Sequence, residues 1–132
     1  MTDDHSEFWG VGKTHYDWDA DVEAIVQRIL SYSSVVTCNT YANHPYPGWD
    51  GRSVDVWGPG GRGDPIGKDL SLRLQRFLFN LPGDPQIRHM ILGHRWWLRG
   101  AGWRPWLRDD HSGPLRHLHI TYLPVPDLPW NH

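Results

Sequence analysis

Residues 116–122 read RHLHITY, and this stretch places two histidines one residue apart in a segment of strand-like composition. Side chains two residues apart on a strand point to the same face of a sheet. His117 and His119 therefore share a face, and the pair suits one metal ligand beside one proton carrier. The alternate residues point the other way and can be buried: Leu118, Ile120 and Tyr122.

Hydrophobic periodicity predicts the other elements. Three- and four-residue spacing predicts one helix that starts near Asp17 or Asp19 and a second that ends before Pro82 and Gly83. Their apolar stripes are Val22, Ile25, Val26, Ile29 and Leu30, and Leu70, Leu74, Phe77, Leu78 and Leu81. Strands are predicted at 34–40, 52–57, 87–93 and 95–98, and loops at 41–51, 58–67 and 101–114.

This order of elements predicts the fold class. Helices and strands that do not alternate regularly favour an α+β fold with a mostly antiparallel sheet, helices packed on one face and a metal-site groove on the other. At 132 residues, positions 1–132 are expected to form a single domain. Residues 1–16 are predicted to be an N-terminal arm that packs by Phe8 and Trp9, and 123–132 a proline-rich tail.

Composition narrows the possible partners. A net charge of −2 gives no basic surplus for a nucleic-acid partner. The sequence shows neither a signal peptide nor a membrane span, so we expect a soluble monomer and leave its localisation open. Nine histidines and nine tryptophans in a chain with one cysteine favour metal chemistry in an aromatic-walled groove.

Three positions can converge on a metal ion in that groove. Asp55 lies between Val54 and Val56 in a predicted strand, where a carboxylate needs a cation or several hydrogen-bond donors. His44 lies in the preceding loop, and one of the two histidines of RHLHITY completes the set.

Two runs resemble a known family. TCNTYANHPYPGWDGRSVDVW, residues 37–57, resembles the first metal motif of the LAS metallopeptidases, which include lysostaphin, D-Ala-D-Ala carboxypeptidases and murein endopeptidases and share a fold with the hedgehog signalling domain. In that motif a histidine and a downstream aspartate bind zinc. GHRWWLRGAGWRPWLRDDHSGPLRHLHITYL, residues 93–123, is similar to the C-terminal part of actinobacterial and phage members, where a Trp- and Arg-rich stretch leads into an H-x-H strand.

The resemblance implies roles for individual residues. It implies Zn²⁺ bound by His44, Asp55 and His119, with His117 as general base or stabiliser. His94 is the candidate for a further catalytic histidine, ahead of His89 and His111. Arg116 stands where carboxypeptidase-type members place an acid, so the histidine-based subtype fits better. Expected substrate-binding residues are Trp57, Trp97 and Arg116.

The expected function is therefore that of a zinc peptidase. Its substrate would be a peptide bond in the stem or cross-bridge of peptidoglycan, with bonds next to a D-amino acid among the candidates. The alternative is a non-catalytic, zinc-containing module of the same fold that binds cell wall or protein. A two-histidine phosphoesterase is disfavoured, because it needs two H-x-T or H-x-S elements and the chain has only 119–121.

Overall fold

The computed structural model describes residues 12–13, 18–40 and 51–125. Within these residues it contains seven strands and two α-helices. In chain order they are β1 (Gly12–Lys13), α1 (Ala20–Tyr32), β2 (Thr37–Asn39), β3 (Ser53–Trp57), α2 (Lys68–Phe79), β4 (Ile87–Leu92), β5 (Arg95–Leu98), β6 (Gly102–Pro105) and β7 (Leu118–Tyr122), with a short 3-10 helix at Gly113–Leu115 before β7.

All seven strands belong to one sheet, in the order β1-β2-β3-β7-β4-β5-β6. The short β1 runs parallel to β2, and every other neighbouring pair is antiparallel. The predicted α+β class with a mostly antiparallel sheet is confirmed. The strand of RHLHITY lies at the centre, between β3 and β4, so both of its edges are hydrogen-bonded.

The two helices supply the apolar layer of the molecule. One continuous core joins the inward stripes of α1 and α2 to one face of the sheet. Leu118, Ile120 and Tyr122 all lie in it, as the alternation of RHLHITY predicted. The other members from the helices and the central strands include Val22, Val26, Ile29, Leu74, Leu78, Val54, Val56 and Met90. The opposite face of the sheet is left for polar side chains.

A buried arginine ties the first helix to the centre of the sheet. The Arg52 guanidinium pairs with Asp21 at 2.7 Å and with Asp19, the residue before α1, at 3.2 Å. It also donates to the carbonyl oxygens of Tyr122 and Leu123 at the end of β7. Asp19 is thus at the predicted helix start, but its carboxylate binds Arg52 and makes no capping bond to the helix.

Several expected boundaries differ from the structure. The predicted loop 101–114 contains β6, which pairs with β5, because glycines with positive φ at 100 and 102 allow the chain to turn back directly after Leu98. The predicted strand 34–40 is shorter, at Thr37–Asn39. The predicted arm includes β1, whereas Phe8, Trp9 and tail residues 126–132 lie outside the described residues.

Neither helix of the described ranges has the length and apolar character that crossing a bilayer requires.

We predict that the centre of the sheet carries much of the stability. Ile120→Ala removes a fully buried side chain from β7 and should lower the free energy of unfolding by about 2–5 kcal/mol in urea titrations. Val35→Ala is the control, because Val35 is 52% exposed and its truncation should change stability by less than about 0.5 kcal/mol. Equal effects of the two substitutions would contradict this assignment of the core.

Candidate functional site

Asp55 and His119 are direct neighbours across the β3–β7 strand pair. The Nδ1 atom of His119 lies 2.7 Å from Oδ1 of Asp55, and Nε2 of His117 lies 3.8 Å from the same oxygen. The exposed fractions of the three side chains are only 8% for Asp55, 10% for His117 and 15% for His119. The two histidines of RHLHITY therefore lie on one face of the sheet, as their spacing predicted, and they meet a buried carboxylate there.

Asp55 is ionised in this setting. Burial by itself raises the pKa of a carboxyl group, but the hydrogen bond from His119 and the positive charges of His119 and His117 in acid outweigh it. The pKa of Asp55 is lowered to about 2. The carboxylate is consequently an acceptor only, and it is His119 that donates through Nδ1.

The other ring nitrogen of His119 faces a pair of hydroxyl groups. Its Nε2 atom lies 3.0 Å from Oγ1 of Thr121, which in turn lies 2.8 Å from Oγ of Ser53. With its proton on Nδ1, a neutral His119 accepts at Nε2 from Thr121, and Thr121 accepts from Ser53. This chain of hydrogen bonds fixes the orientation of His119 from both ends.

His117 has the opposite tautomer. Its Nδ1 atom donates to the carbonyl oxygen of Leu115 at 2.8 Å, so the lone pair of the neutral ring is on Nε2, the atom on the Asp55 side. Burial lowers the pKa of His117 below its usual value, and the attraction of Asp55 offsets this only in part. His117 is therefore a neutral base near pH 7.

A third histidine, His111, joins the site from the loop before β7. It is buried, and its ring stacks on His117 with centroids 4.2 Å apart. Its Nδ1 atom donates to Asp110 at 2.7 Å, and Trp106 donates to the same carboxylate oxygen. Burial and the neighbouring His117 and His119 lower the pKa of His111 to about 4.

A fourth histidine, His89 on β4, stacks on the other side of the site. Its ring centroid lies 5.4 Å from that of His119. The Arg88 guanidinium donates to its Nδ1 atom at 2.6 Å, and an arginine cannot act as acceptor. Burial, helped by the neighbouring His119 and the Arg88 guanidinium, holds the pKa of His89 well below its usual range, so the ring is neutral.

The sequence ranked His89 and His111 behind His94, whereas in the structure His89 stacks on His119 and His111 stacks on His117. His94 lies in the turn between β4 and β5, is largely exposed, and bonds to Asp109 at 2.7 Å and to Ser112 at 3.3 Å. Both contacts use the same Nε2 atom, so this is not the geometry of a Ser-His-Asp triad, in which each ring nitrogen has its own partner.

The three expected substrate-binding residues have different surroundings. Trp57 is 4% exposed and stacks on His117, with centroids 4.1 Å apart, so it lies inside the site. The Nε atom of Arg116 donates to the carbonyl oxygen of Ile66 at 2.9 Å. Trp97 packs against Phe79 of α2 and the apolar core, which places it on the helix side, away from the histidines.

The donor chemistry of the Asp55 and His119 pair fits zinc. A carboxylate oxygen and an imidazole nitrogen face each other, and both are common zinc ligands. Zinc binding through Nδ1 of His119 would release the proton that this nitrogen now donates to Asp55. The third expected ligand, His44, lies outside the described residues. Among the residues that are described, no group of three or more His, Cys, Asp or Glu side chains is arranged to hold a metal ion.

A separate cavity of about 220 Å³ lies on the helix side of the sheet. Its wall includes Leu78 and Phe79 of α2, Arg99 after β5 and Tyr122 of β7. The histidine cluster is on the other face, so this cavity is no part of the candidate site.

Comparison with models of known protein families, with curated proteins and with solved structures found no match for this chain.

We predict that the metal-free protein loses stability in mild acid through His111. An unfolded histidine binds its proton near pH 6.5, whereas His111 in the folded protein does so near pH 4. Between these values the unfolded chain binds more protons, so the contribution of this residue is complete above about pH 6.5 and is lost as pH falls toward 4. The expected loss is on the order of 3 kcal/mol.

Urea unfolding at pH 7.5 and pH 4.5, with a chelator present, measures this effect. His111→Leu removes the titrating group and should make the pH dependence shallower. His94→Leu, a substitution at an exposed position, should keep the wild-type dependence. The same pH dependence in wild type and His111→Leu would contradict the assignment.

Proposed function

We propose that this protein is a zinc-dependent peptidase that hydrolyses a peptide bond in the stem or cross-bridge peptides of peptidoglycan. The observation that carries the proposal is the buried carboxylate of Asp55, in contact with two histidines. The second ring nitrogen of each histidine has a different partner, the hydroxyl of Thr121 for His119 and the carbonyl oxygen of Leu115 for His117. One histidine, His119, is paired with the carboxylate as a co-ligand. The other, His117, has the lone pair of its Nε2 atom on the side of Asp55 and is proposed as the base.

The position of β2 supports His44 as the third ligand. Asn39, near the end of β2, lies directly opposite Asp55 in the sheet. His44 follows five residues later, a reach of up to about 17 Å of extended chain. A short tether of this kind lets His44 approach Asp55 without any change in the sheet.

The chemistry follows from these donors. Asp55, His119 and His44 would hold the zinc ion, which would lower the pKa of a coordinated water to about 7 and polarise the carbonyl group of the scissile bond. His117 accepts a proton at Nε2 and returns it to the leaving amine. Asp55 keeps its negative charge near the cation, and Trp57 covers one face of His117 against water. Cleavage next to a D-amino acid is a more specific expectation, and it comes from the family resemblance alone.

A zinc-containing binding module of the same fold is the second candidate. It is favoured by Arg116, which occupies the position of an acid in carboxypeptidase-type members. Its Nε atom donates to the carbonyl oxygen of Ile66, and a guanidinium group cannot serve as the base at that point. Under this alternative the metal is bound but His117 transfers no proton.

We predict that the purified protein binds about one zinc ion per chain and that Asp55→Ala and His119→Ala each abolish stoichiometric binding. Each substitution removes one of two adjacent donors, and loss of a ligand weakens zinc binding by orders of magnitude. Asp69→Ala is the matched control, because Asp69 is an exposed carboxylate in the first turn of α2.

Metal content by plasma mass spectrometry after dialysis measures the effect. Stoichiometric zinc in Asp55→Ala, or zinc-free wild type after refolding with zinc, would contradict the proposed metal centre.

We predict that His117→Ala lowers kcat by about 10²–10⁴-fold on soluble peptidoglycan peptides and leaves the zinc content unchanged. The residue is assigned to proton transfer and not to the metal. Release of new amino groups from these soluble peptides is the assay. A variant with wild-type turnover would contradict the role of His117, and inert wild-type protein that still binds cell walls would favour the binding module.

A further inference from the structure

The His117 ring is covered on both faces. On one side it stacks on Trp57, with centroids 4.1 Å apart and planes inclined by 13°. On the other it stacks on His111, at 4.2 Å and 26°. Its edge is fixed as well, because Nδ1 donates to the carbonyl oxygen of Leu115.

These contacts restrict different motions. Two nearly parallel neighbours fix the plane of the ring, since a rotation of the imidazole about its bond to Cβ would drive an edge into one of them. A half-turn keeps the plane but exchanges the two edges, and it breaks the hydrogen bond to Leu115. Together the two stacked rings and the hydrogen bond leave one orientation of the imidazole, in which Nε2 is on the Asp55 side.

Both stacking partners are themselves held in place. Trp57 is the last residue of β3 and is 4% exposed. His111 donates through Nδ1 to Asp110, and Trp106 donates to the same oxygen, each at 2.7 Å. Hydrogen bonds from Trp106 and His111 hold the pKa of Asp110 below its usual value although burial acts against them, so this carboxylate is a charged acceptor.

We propose that Trp57 and His111 are positioning residues that clamp His117 in the tautomer and orientation a general base requires, with Asp110 anchoring His111. This inference rests on the proposed function, in which Nε2 of His117 takes the proton. It reassigns Trp57 from substrate binding to positioning, and it assigns a role to His111 that acts through His117 and needs no contact with substrate.

The first test compares aromatic with aliphatic replacements of the two stacking residues. Trp57→Leu and His111→Leu remove a stacking plane and should lower kcat by about 10–100-fold with KM within about twofold, because misplacement of a reacting group by about 1 Å has an effect of that size. Trp57→Phe keeps an aromatic plane and should stay within about fivefold of wild type. His111→Phe keeps the plane but loses the hydrogen bond to Asp110, so its kcat should lie between those of wild type and His111→Leu.

Trp103→Leu is the matched control, because Trp103 is a half-exposed tryptophan on the helix side of the sheet, where it packs against Phe79. Its kcat should stay within about twofold of wild type. Zinc content and thermal midpoint, measured on every variant, restrict the comparison to folded, metal-loaded protein.

The second test does not depend on activity. Nitrogen-15 NMR of histidine-labelled protein distinguishes the Nδ1–H from the Nε2–H tautomer of His117. We expect the pure Nδ1–H tautomer in wild type and in the two phenylalanine variants, and a mixture of both in the two leucine variants. If Trp57→Leu fails to fold, His111→Leu alone decides the outcome, since His111 lies in a loop and not in the sheet.

An unchanged tautomer and an unchanged kcat in the leucine variants would overturn the clamp. A wild-type protein without peptidase activity would instead overturn the proposed function, and the NMR comparison would still decide whether Trp57 and His111 hold His117.

Discussion

The hydrogen bond between His119 and Asp55 is the constraint on which the polar face of this protein depends. A carboxylate this deeply buried is unfavourable unless charges or donors compensate it, and His119 is the donor across the strand pair. The same bond fixes the register of β3 against β7. A shift of one residue would turn Asp55 into the apolar core between sheet and helices, where Val54 and Val56 now lie.

The sheet therefore separates two kinds of packing. Its helix side is closed by an apolar core, which makes the strands rigid. Its other side carries four histidines around one carboxylate, and three of the four are neutral near pH 7 because burial lowers their pKa values: His89, His111 and His117. A site built on central strands keeps its donors in fixed positions, which favours binding and proton transfer that need little rearrangement.

Strand alternation was sufficient to predict part of this site. It placed His117 and His119 on one face of their strand, and Asp55 on the face of its strand away from Val54 and Val56, because side chains alternate with a strict period of two. The pairing of Asp55 with His119 became visible only in the structure. Alternation gave no guide to His89, since β4 is irregular between Ile87 and His89, and this irregularity lets Ile87 enter the core while His89 faces the site. Alternation of residues along β4 cannot reveal such a break.

His111 was missed for a different reason. It lies outside any strand, and its position depends on hydrogen bonds from Trp106 and His111 to Asp110 that are made only in the folded loop. The pair of aspartates in RDDHS gave no sign of which carboxylate would bind which histidine. The α+β class, the core stripes and the central strand followed from local patterns, whereas the loop that completes the site depends on tertiary contacts.

A crystal structure of the zinc-loaded protein, with anomalous diffraction measured at the zinc edge, tests whether Asp55 and His119 bind the metal. We expect one strong anomalous peak bound by Asp55 and His119, with His44 as the third protein ligand and His117 outside the coordination sphere. A zinc ion held by His89, His111 or His117 with Asp55 free, or a crystal of zinc-treated protein with no peak at this carboxylate, would contradict it.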